Sequence, residues 1–404
     1  METLKNRASA ILRINDRSRY TVPAGHLYPH QWAWDSAFIA LGWASIDMGR
    51  AVLELETLMA GQWSDGRVPH IQFHQAGHYF PDETFWETHR LAGSTRCPVK
   101  SSSITQPPVW ATAARRLLER GADETRIKAL LPAMDRSHRF FHEQRDPLSR
   151  DLVAVVHPWE SGLDNSPAWD VPLQAIDPSQ APAFRRIDKD VVGDASQRPT
   201  DDQYRRYAVL VKAIAGDDYG PGLWAVYDPL TTAILARAEV DLGWLGDRLG
   251  VPTDAAQRGE RLTSALMRHL WDEHLGRFTF YDVVGRRTLS PDVIAAYAPL
   301  SLDLPPACRA RLEAGLQARF WTEWPLPSTA PSDPAFDARR YWRGPTWINM
   351  NWLLVPRLGA TLRDKTLELM DRHGFWEYFD PHTGEGLGAH DFAWSAALAL
   401  DLLA

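Results

Sequence analysis

The sequence predicts an all-α fold in which antiparallel helical hairpins, joined by long decorated loops, close into a toroid. Three observations lead there, the last weighing against an open solenoid, which periodicity alone does not separate from a closed barrel. Apolar residues recur at helical spacing in segment after segment, few stretches alternate as strands do, and no short internal repeat or low-complexity linker interrupts the pattern.

In chain order, the helical periods run through 36–45 and 48–62, then 108–121 and 124–143, with Gly121 and Asp123 marking the break within the second pair. Segments 204–215, 231–249 and 255–272 follow, and Gly250, Pro252 and Asp254 divide the last two. Pro305-Pro306 opens 306–319, and 345–356 comes next; Gly359 with Thr361 then sets off 361–373 and 391–403. One hairpin is predicted at 277–289, where RFTFYDV and RRTLS flank Val284-Gly285. The opening METLKNRASAILRINDRSRY is polar and broken by charges, stands outside these periods, and lacks the apolar core of a signal peptide. A length of 404 residues allows two or three domains, all-helical barrels can run this long as one unit, and no composition shift marks a boundary, so length and composition leave the count open.

Charge and composition narrow the function. Lys and Arg total 44 against 51 Asp and Glu, giving a net charge of −7 without long runs of one sign. A general nucleic-acid or anionic-membrane binder would show a basic patch, so neither partner is expected. No apolar run reaches the roughly 18 residues a membrane helix needs. Cys97 and Cys308 are the only cysteines, which excludes a disulfide framework and points to a reducing, cytoplasmic setting. Tryptophan stands out, with 18 residues against 7 Met, and its flat ring suits recognition.

The loops 20–35, 63–107, 144–200, 321–344 and 374–390 are rich in Trp, Tyr, Gly, Pro and Asp, which is not a disordered composition. In YPHQWAWD, Asp35 is a natural N-cap for the following SAFIALGW, or a group facing a pocket. Trp32 and Trp34, one residue apart on an extended chain, would point to opposite sides, one inward and one toward a ligand. HPWESGLDNSPAWD holds Glu160, Asp164 and Asp170 beside two Trp; either its acids bind backbone amides, or a desolvated carboxyl there is poised to donate a proton. In RYWRGPTWINMNW, Pro345 fits a first helical turn, and Asn349 and Asn351 either meet a ligand or are helix-lining hydrogen bonders with none. In GFWEYFDPHTGEGLG, Glu377 sits among aromatics, whereas Glu385 in a Gly-rich turn reads as a surface residue.

His70, His74 and His78 recur at every fourth position and on a helix would form a metal-binding face. HIQFH alternates like an extended segment, so no metal site is expected. Gly-rich phosphate loops, a dinucleotide fingerprint and a Gly-x-Ser-x-Gly nucleophile are absent, and Asp201-Asp202 lacks the further Asp of a diphosphate–magnesium motif.

Taken together, WESGLDNSP, YWRGPTWINMNWLL and FWEYFDPHTG resemble the inverting α-glycosidases of glycoside hydrolase family 63 and their relatives the trehalases. YPHQWAWDSAF, SSSITQPPV and RPTDDQY are similar to the bacterial mannosylglycerate and glucosylglycerate hydrolases within it. The resemblance spans residue 26 to the C-terminus. It implies a single (α/α)6 barrel, one catalytic domain over 1–404, with its site at the loop-bearing end, a small anionic α-glycoside as substrate, and no cofactor. It makes Asp164 the general acid and Glu377 the general base. Tyr28, Trp32, Trp34, Asp35, Gln106, Gly162, Tyr341 and Trp342 would line the sugar subsite, and Arg198 and Tyr204 would hold a glycerate carboxylate. Two segments depart from the family pattern: GSTRCPVKSSS is longer than expected, and in HQAGHYFPDETFW the sugar contact is either Tyr79 or Phe80. Inversion needs the two carboxyls roughly 6.5–9.5 Å apart, leaving room for water. The alternatives are a trehalase-like or oligosaccharide α-glucosidase, a catalytically silent sugar-binding barrel, and a helical scaffold with no ligand.

Overall fold

The computed structural model describes residues 2–75 and 79–404. It is mostly helical, and its chain divides into two compact units: Met1–Glu143, Ile234–Arg261 and Asp391–Ala404 form one, and Gln144–Ala233 and Leu262–His390 the other.

The core of the first unit is the helix Ala33–Trp43, every residue of which is buried. It packs on Ala393–Leu403 so closely that a Cβ on Gly42 would lie 2.4 Å from Ala397 Cα, so the crossing requires glycine. The predicted helical runs reappear here as Met48–Ala60, Trp110–Glu119 and Glu124–Gln144. The polar N-terminus corrects the sequence reading, since Glu2–Asn15 is helical. Leu4, Ala8 and Leu12 are its buried apolar stripe, one residue per turn on a face otherwise interrupted by charges. Asn15 then closes the segment, donating from Nδ2 to Asp391 O (2.8 Å) and accepting from Gly25 N (3.1 Å).

Helix Ala33–Trp43 starts two residues before Asp35, which sits in its first turn and is not the N-cap. The start moves because other segments satisfy the first amides: Ala33 N donates to His70 O (3.0 Å) and Trp34 N to Gln106 Oε1 (3.2 Å). A two-residue ladder, Gln31↔Gln72 and Trp32↔Ile71, fixes the approach to this helix and confirms HIQFH as extended. The long GSTRCPVKSSS segment runs beside it, with Phe73 N bonding Lys100 O (2.8 Å) and Ser102 N bonding Ile71 O (3.0 Å).

The second unit contains an antiparallel sheet ordered Ala154–Val155, Val226–Tyr227, Phe280–Asp282, Arg287–Leu289. Its last two strands are the predicted hairpin, paired Phe280↔Leu289 and Asp282↔Arg287, while Arg277–Phe278 pairs instead with Trp271–Asp272. Helix Asp201–Gly216 opens on a capping box between Thr200 and Gln203. Pro345 does not enter a helix; Ile348–Leu358 begins three residues later. Thr346 exchanges both backbone bonds with Phe379 (2.8 and 3.0 Å), which holds the stretch before Trp347 extended. No helix among the described residues is long and apolar enough to cross a membrane.

Candidate active site

The acid-bearing loop sorts its own carboxylates. Arg145 grips Glu160 through Nε and Nη2 (2.9–3.1 Å), and Val156 N adds a bond of 2.9 Å, so this buried acid is a structural ion pair. Asp170 is forked by Arg343 at 2.7 and 2.9 Å. Among the described residues, Asp164 alone of the three has no ion pair. Gly162 adopts φ +74° to end the short helix Pro158–Ser161, and this left-handed turn delivers Leu163 and Asp164. Tyr207 donates its hydroxyl to Asp164 O (2.7 Å) and pins the backbone. Desolvation raises the Asp164 pKa to about 8, the negative Glu377 adds to the rise, and Arg198 opposes it. A carboxyl that keeps its proton at neutral pH is a proton donor.

Asn165 and Arg343 fasten this loop to the aromatic segment. Trp342 N bonds Asn165 Oδ1 (2.8 Å), and Arg343 Nη1 bonds Asn165 O (3.2 Å). Trp342 stacks on Trp347 at 3.7 Å between centroids, and Trp347 on Tyr378 at 4.7 Å. Tyr341 stands edge-on to both Trp347 and Tyr378, held at φ +46°, an uncommon conformation for a non-glycine residue. Of the predicted Asn pair, Asn351 accepts from Leu326 N and bonds Pro325 O and Thr366, so it ties its helix to neighbouring segments.

Glu377 lies on the hairpin Trp376–Phe379 with Gly386–His390 and is 2% exposed. Ala389 N donates to its Oε2 (3.0 Å), and Arg198 Nη1 lies 3.4 Å from both oxygens. Gly388, at φ +71°, passes so near that a Cβ would stand 2.4 Å from Glu377 Oε2. Glu385, by contrast, is exposed and pairs with Arg339.

Arg198 lies over Tyr341, its guanidinium carbon 4.2 Å from the ring centroid. Behind it stands Asp188, absent from the sequence reading. This carboxylate takes two bonds from Arg186 (3.0 and 2.6 Å) and longer ones from Arg198 Nε (3.3 Å) and Tyr204 OH (3.4 Å). Its only sequence signal was an acid inside a basic stretch, RRIDK, twelve residues before RPTDD's Thr200. Gly388 and Asn165 were likewise missed as site residues; each lies within a quoted motif. His157 is neutral: burial lowers its pKa to about 3, Nδ1 accepts from Trp159 N, and Nε2 faces Tyr207 O.

In the first unit, the residues expected at the sugar subsite form an aromatic group of their own. Trp32 meets Tyr28 and Tyr79 edge-on, both at 5.3 Å. Tyr79 joins this group, whereas Phe80 pairs with Phe85. The two Trp do diverge, but not as alternating extended residues. Trp34 lies in the first helical turn and packs on Phe38 and Trp394. Asp35 is buried beside them in sequence, and Gln106 is turned by its bond to Trp34 N. His70 bonds Ser102 Oγ (2.7 Å), and His74 bonds Gln31 Oε1 (2.9 Å) and stacks on Tyr20; His78 lies outside the described residues. Gln31 is in turn oriented by the buried Glu54, 3.2 Å from its Nε2.

A family model described as mannosylglycerate hydrolase MGH1-like glycoside hydrolase domain matches residues 28–395. The chain is 40% identical to a mannosylglycerate hydrolase of Thermus thermophilus, over 98% of this chain and 99% of that protein. It is 36% identical to a glucosylglycerate hydrolase of Mycolicibacterium hassiacum, over 99% and 97% respectively. The crystal structure of a family 63 mannosylglycerate hydrolase from Thermus thermophilus with Tris and D-glycerate matches with a TM-score of 0.93 and 38% identity, covering 99% of this chain and 100% of that one.

Proposed function

The chain belongs to the mannosylglycerate hydrolase MGH1-like glycoside hydrolase family, and from that membership we propose that it cleaves a small anionic α-glycoside, glucosylglycerate or mannosylglycerate, with inversion. Asp164 protonates the glycosidic oxygen. Glu377 takes a proton from the water that attacks the opposite face of the anomeric carbon, releasing the β-anomer. The observation that carries this reading is the division of charge within one loop. Glu160 and Asp170 are each forked by an arginine, while Asp164 has no such partner and a pKa near 8.

Arg198 and Tyr204 hold the glycerate carboxylate, a role that the two-pronged guanidinium suits. Gly162, Tyr341 and Trp342 shape the sugar side of the acid loop. Tyr28, Trp32, Trp34, Asp35 and Gln106 hold the hexose, joined by Tyr79, whose packing on Trp32 supports it over Phe80. Family membership likewise supports an (α/α)6 barrel, a single catalytic domain over 1–404, and action without a cofactor. Two buried, unbridged cysteines suit a cytoplasmic setting.

A hydrolysis panel of glucosylglycerate, mannosylglycerate, trehalose and isomaltose tests the substrate. A glycerate glycoside is expected to be cleaved fastest, and preferential cleavage of trehalose or isomaltose would defeat the proposal.

A further inference from the structure

Arg198 and Tyr204 both point at one atom of this chain. Asp188 Oδ2 lies 3.3 Å from Arg198 Nε and 3.4 Å from Tyr204 OH. A charge-assisted bond normally closes to about 2.7–2.9 Å, so both contacts are loose. Glu377, the other carboxylate beside Arg198, is equally loose at 3.4 Å. Asp188 is held tightly from elsewhere, by Arg186 at 2.6 Å. Burial favours its neutral form, but the bond from Arg186 and the charge of Arg198 more than offset this, so Asp188 is an anion at neutral pH.

We propose that Asp188 is an internal stand-in for the substrate's carboxylate, occupying the Arg198–Tyr204 seat until an anionic aglycone displaces it. This inference rests on the assignment of those two residues to the glycerate carboxylate. Without Asp188 the buried guanidinium would have one carboxylate fewer beside it, with Glu377 remaining at 3.4 Å. With Asp188 present the cation is balanced before substrate arrives, and the substrate's anion exchanges for one already there. A neutral aglycone has no charge to offer in that exchange, so the stand-in sharpens selection for anions.

Arg186 is not committed to Asp188 alone. Arg186, which carries Asp188, lines an open groove of about 780 Å³ with Lys189, Asp201 and Arg205. It also bonds Asp201 (3.0 Å) and Pro199 O (2.6 Å) and lies over the Tyr204 ring (3.7 Å), partners that do not depend on Asp188.

The test is calorimetric binding of D-glycerate, with glycerol as the uncharged control, to wild type, Asp188→Asn, Asp188→Ser and Asp188→Glu. Removing a competing charge a few ångströms away strengthens anion binding, so both neutral variants are expected to bind glycerate about tenfold tighter with no gain for glycerol. Asp188→Glu, whose carboxylate reaches further onto Arg198, binds it more weakly. Two neutral variants of different size guard against one misfolding. Weaker glycerate binding in the neutral variants, with Asp188→Glu nearest wild type, would mean that Asp188 is only a buttress and would overturn the proposal, as would unchanged affinity. If wild type bound neither glycerate nor its glycosides, the aglycone assignment itself would fall, and the stand-in with it; a wild type that selects anions beside insensitive variants refutes the stand-in alone.

Discussion

Replacing Asp164 by Asn removes one ionisable proton and almost no volume, so it separates two costs of the same group. In the folded protein the carboxyl titrates near pH 8, against an ordinary value of 3.8. That gap corresponds to a ceiling of about 5–6 kcal/mol in favour of the protonated form, and the partial exposure of Asp164 discounts it to on the order of 2–4 kcal/mol. The sign follows from proton binding. Between the two pKa values the folded state holds a proton that the unfolded state has released, so wild-type stability falls as pH rises from about 4 to about 8. Asn escapes this loss. Unfolding entropy of about 2.1 cal/mol/K per residue converts each kcal/mol into roughly 1 °C for a chain of this size. Asp164→Asn should therefore melt a few degrees above wild type at pH 8.5, with a smaller gap at pH 5. Its kcat on an unactivated glycoside should drop by about 10²–10⁴-fold. A dinitrophenyl α-glucoside, whose leaving group needs no proton, should lose far less. Calorimetric scans at both pH values and rates on both substrates decide the matter. Equal losses on the two substrates, or a variant that melts below wild type at pH 8.5, would refute the assignment, most pointedly if Glu160→Gln reproduced the acid phenotype.

Glu377→Gln should be nearly inactive, whereas Glu385→Gln stays within about tenfold, roughly 1.4 kcal/mol of barrier; NMR of the first product should show the β-anomer, and initial α-sugar would indicate retention. Arg198→Ala should lower kcat/KM for the glycerate glycoside by about 10–150-fold while changing an aryl α-glucoside little, because bonds to charged groups are worth about 1.5–3 kcal/mol; Tyr204→Phe moves the same ratio by less, and parallel losses on both substrates would remove the glycerate role. Gly388→Ala should cut kcat by at least about tenfold, since its Cβ would meet Glu377 Oε2 at 2.4 Å in a backbone region that suits glycine; unchanged kinetics would show that the hairpin yields there.

Much of this was legible because helices advertise one apolar face, and the motif segments carried their acids in compact runs. Where the reading failed, the missing information lay far away in sequence. The helix after Trp32 starts early because His70 and Gln106 satisfy its amides, and no local pattern reveals those partners. Pro345 stays extended because Phe379 pairs with Thr346. Glu2–Asn15 was missed because three buried residues, Leu4, Ala8 and Leu12, are a thin signal among charges. Asp164 could be told from Glu160 and Asp170 by resemblance, but its physical distinction depends on where Arg145 and Arg343 reach. Asp188 matters through four bonds from three residues, a property of folded space alone.

The tight crossing of Gly42 on Ala397 also sets an order of events during folding. The first unit needs residues 391–404, yet the second unit's 262–390 must be synthesised before them. Asn15 finds Asp391 across a separation of 376 residues, and Pro23 O waits for Ala393 N (2.8 Å). Contacts so distant along the chain form slowly, since closing the loop costs entropy before any contact repays it. Until then the wholly buried helix Ala33–Trp43 has an apolar flank with nothing against it, a surface that chaperones or aggregation would claim. Pulse-labelled hydrogen exchange should find amides 33–43 protected late, together with those of 393–403; early protection of 33–43 would show that this half matures without its final helix.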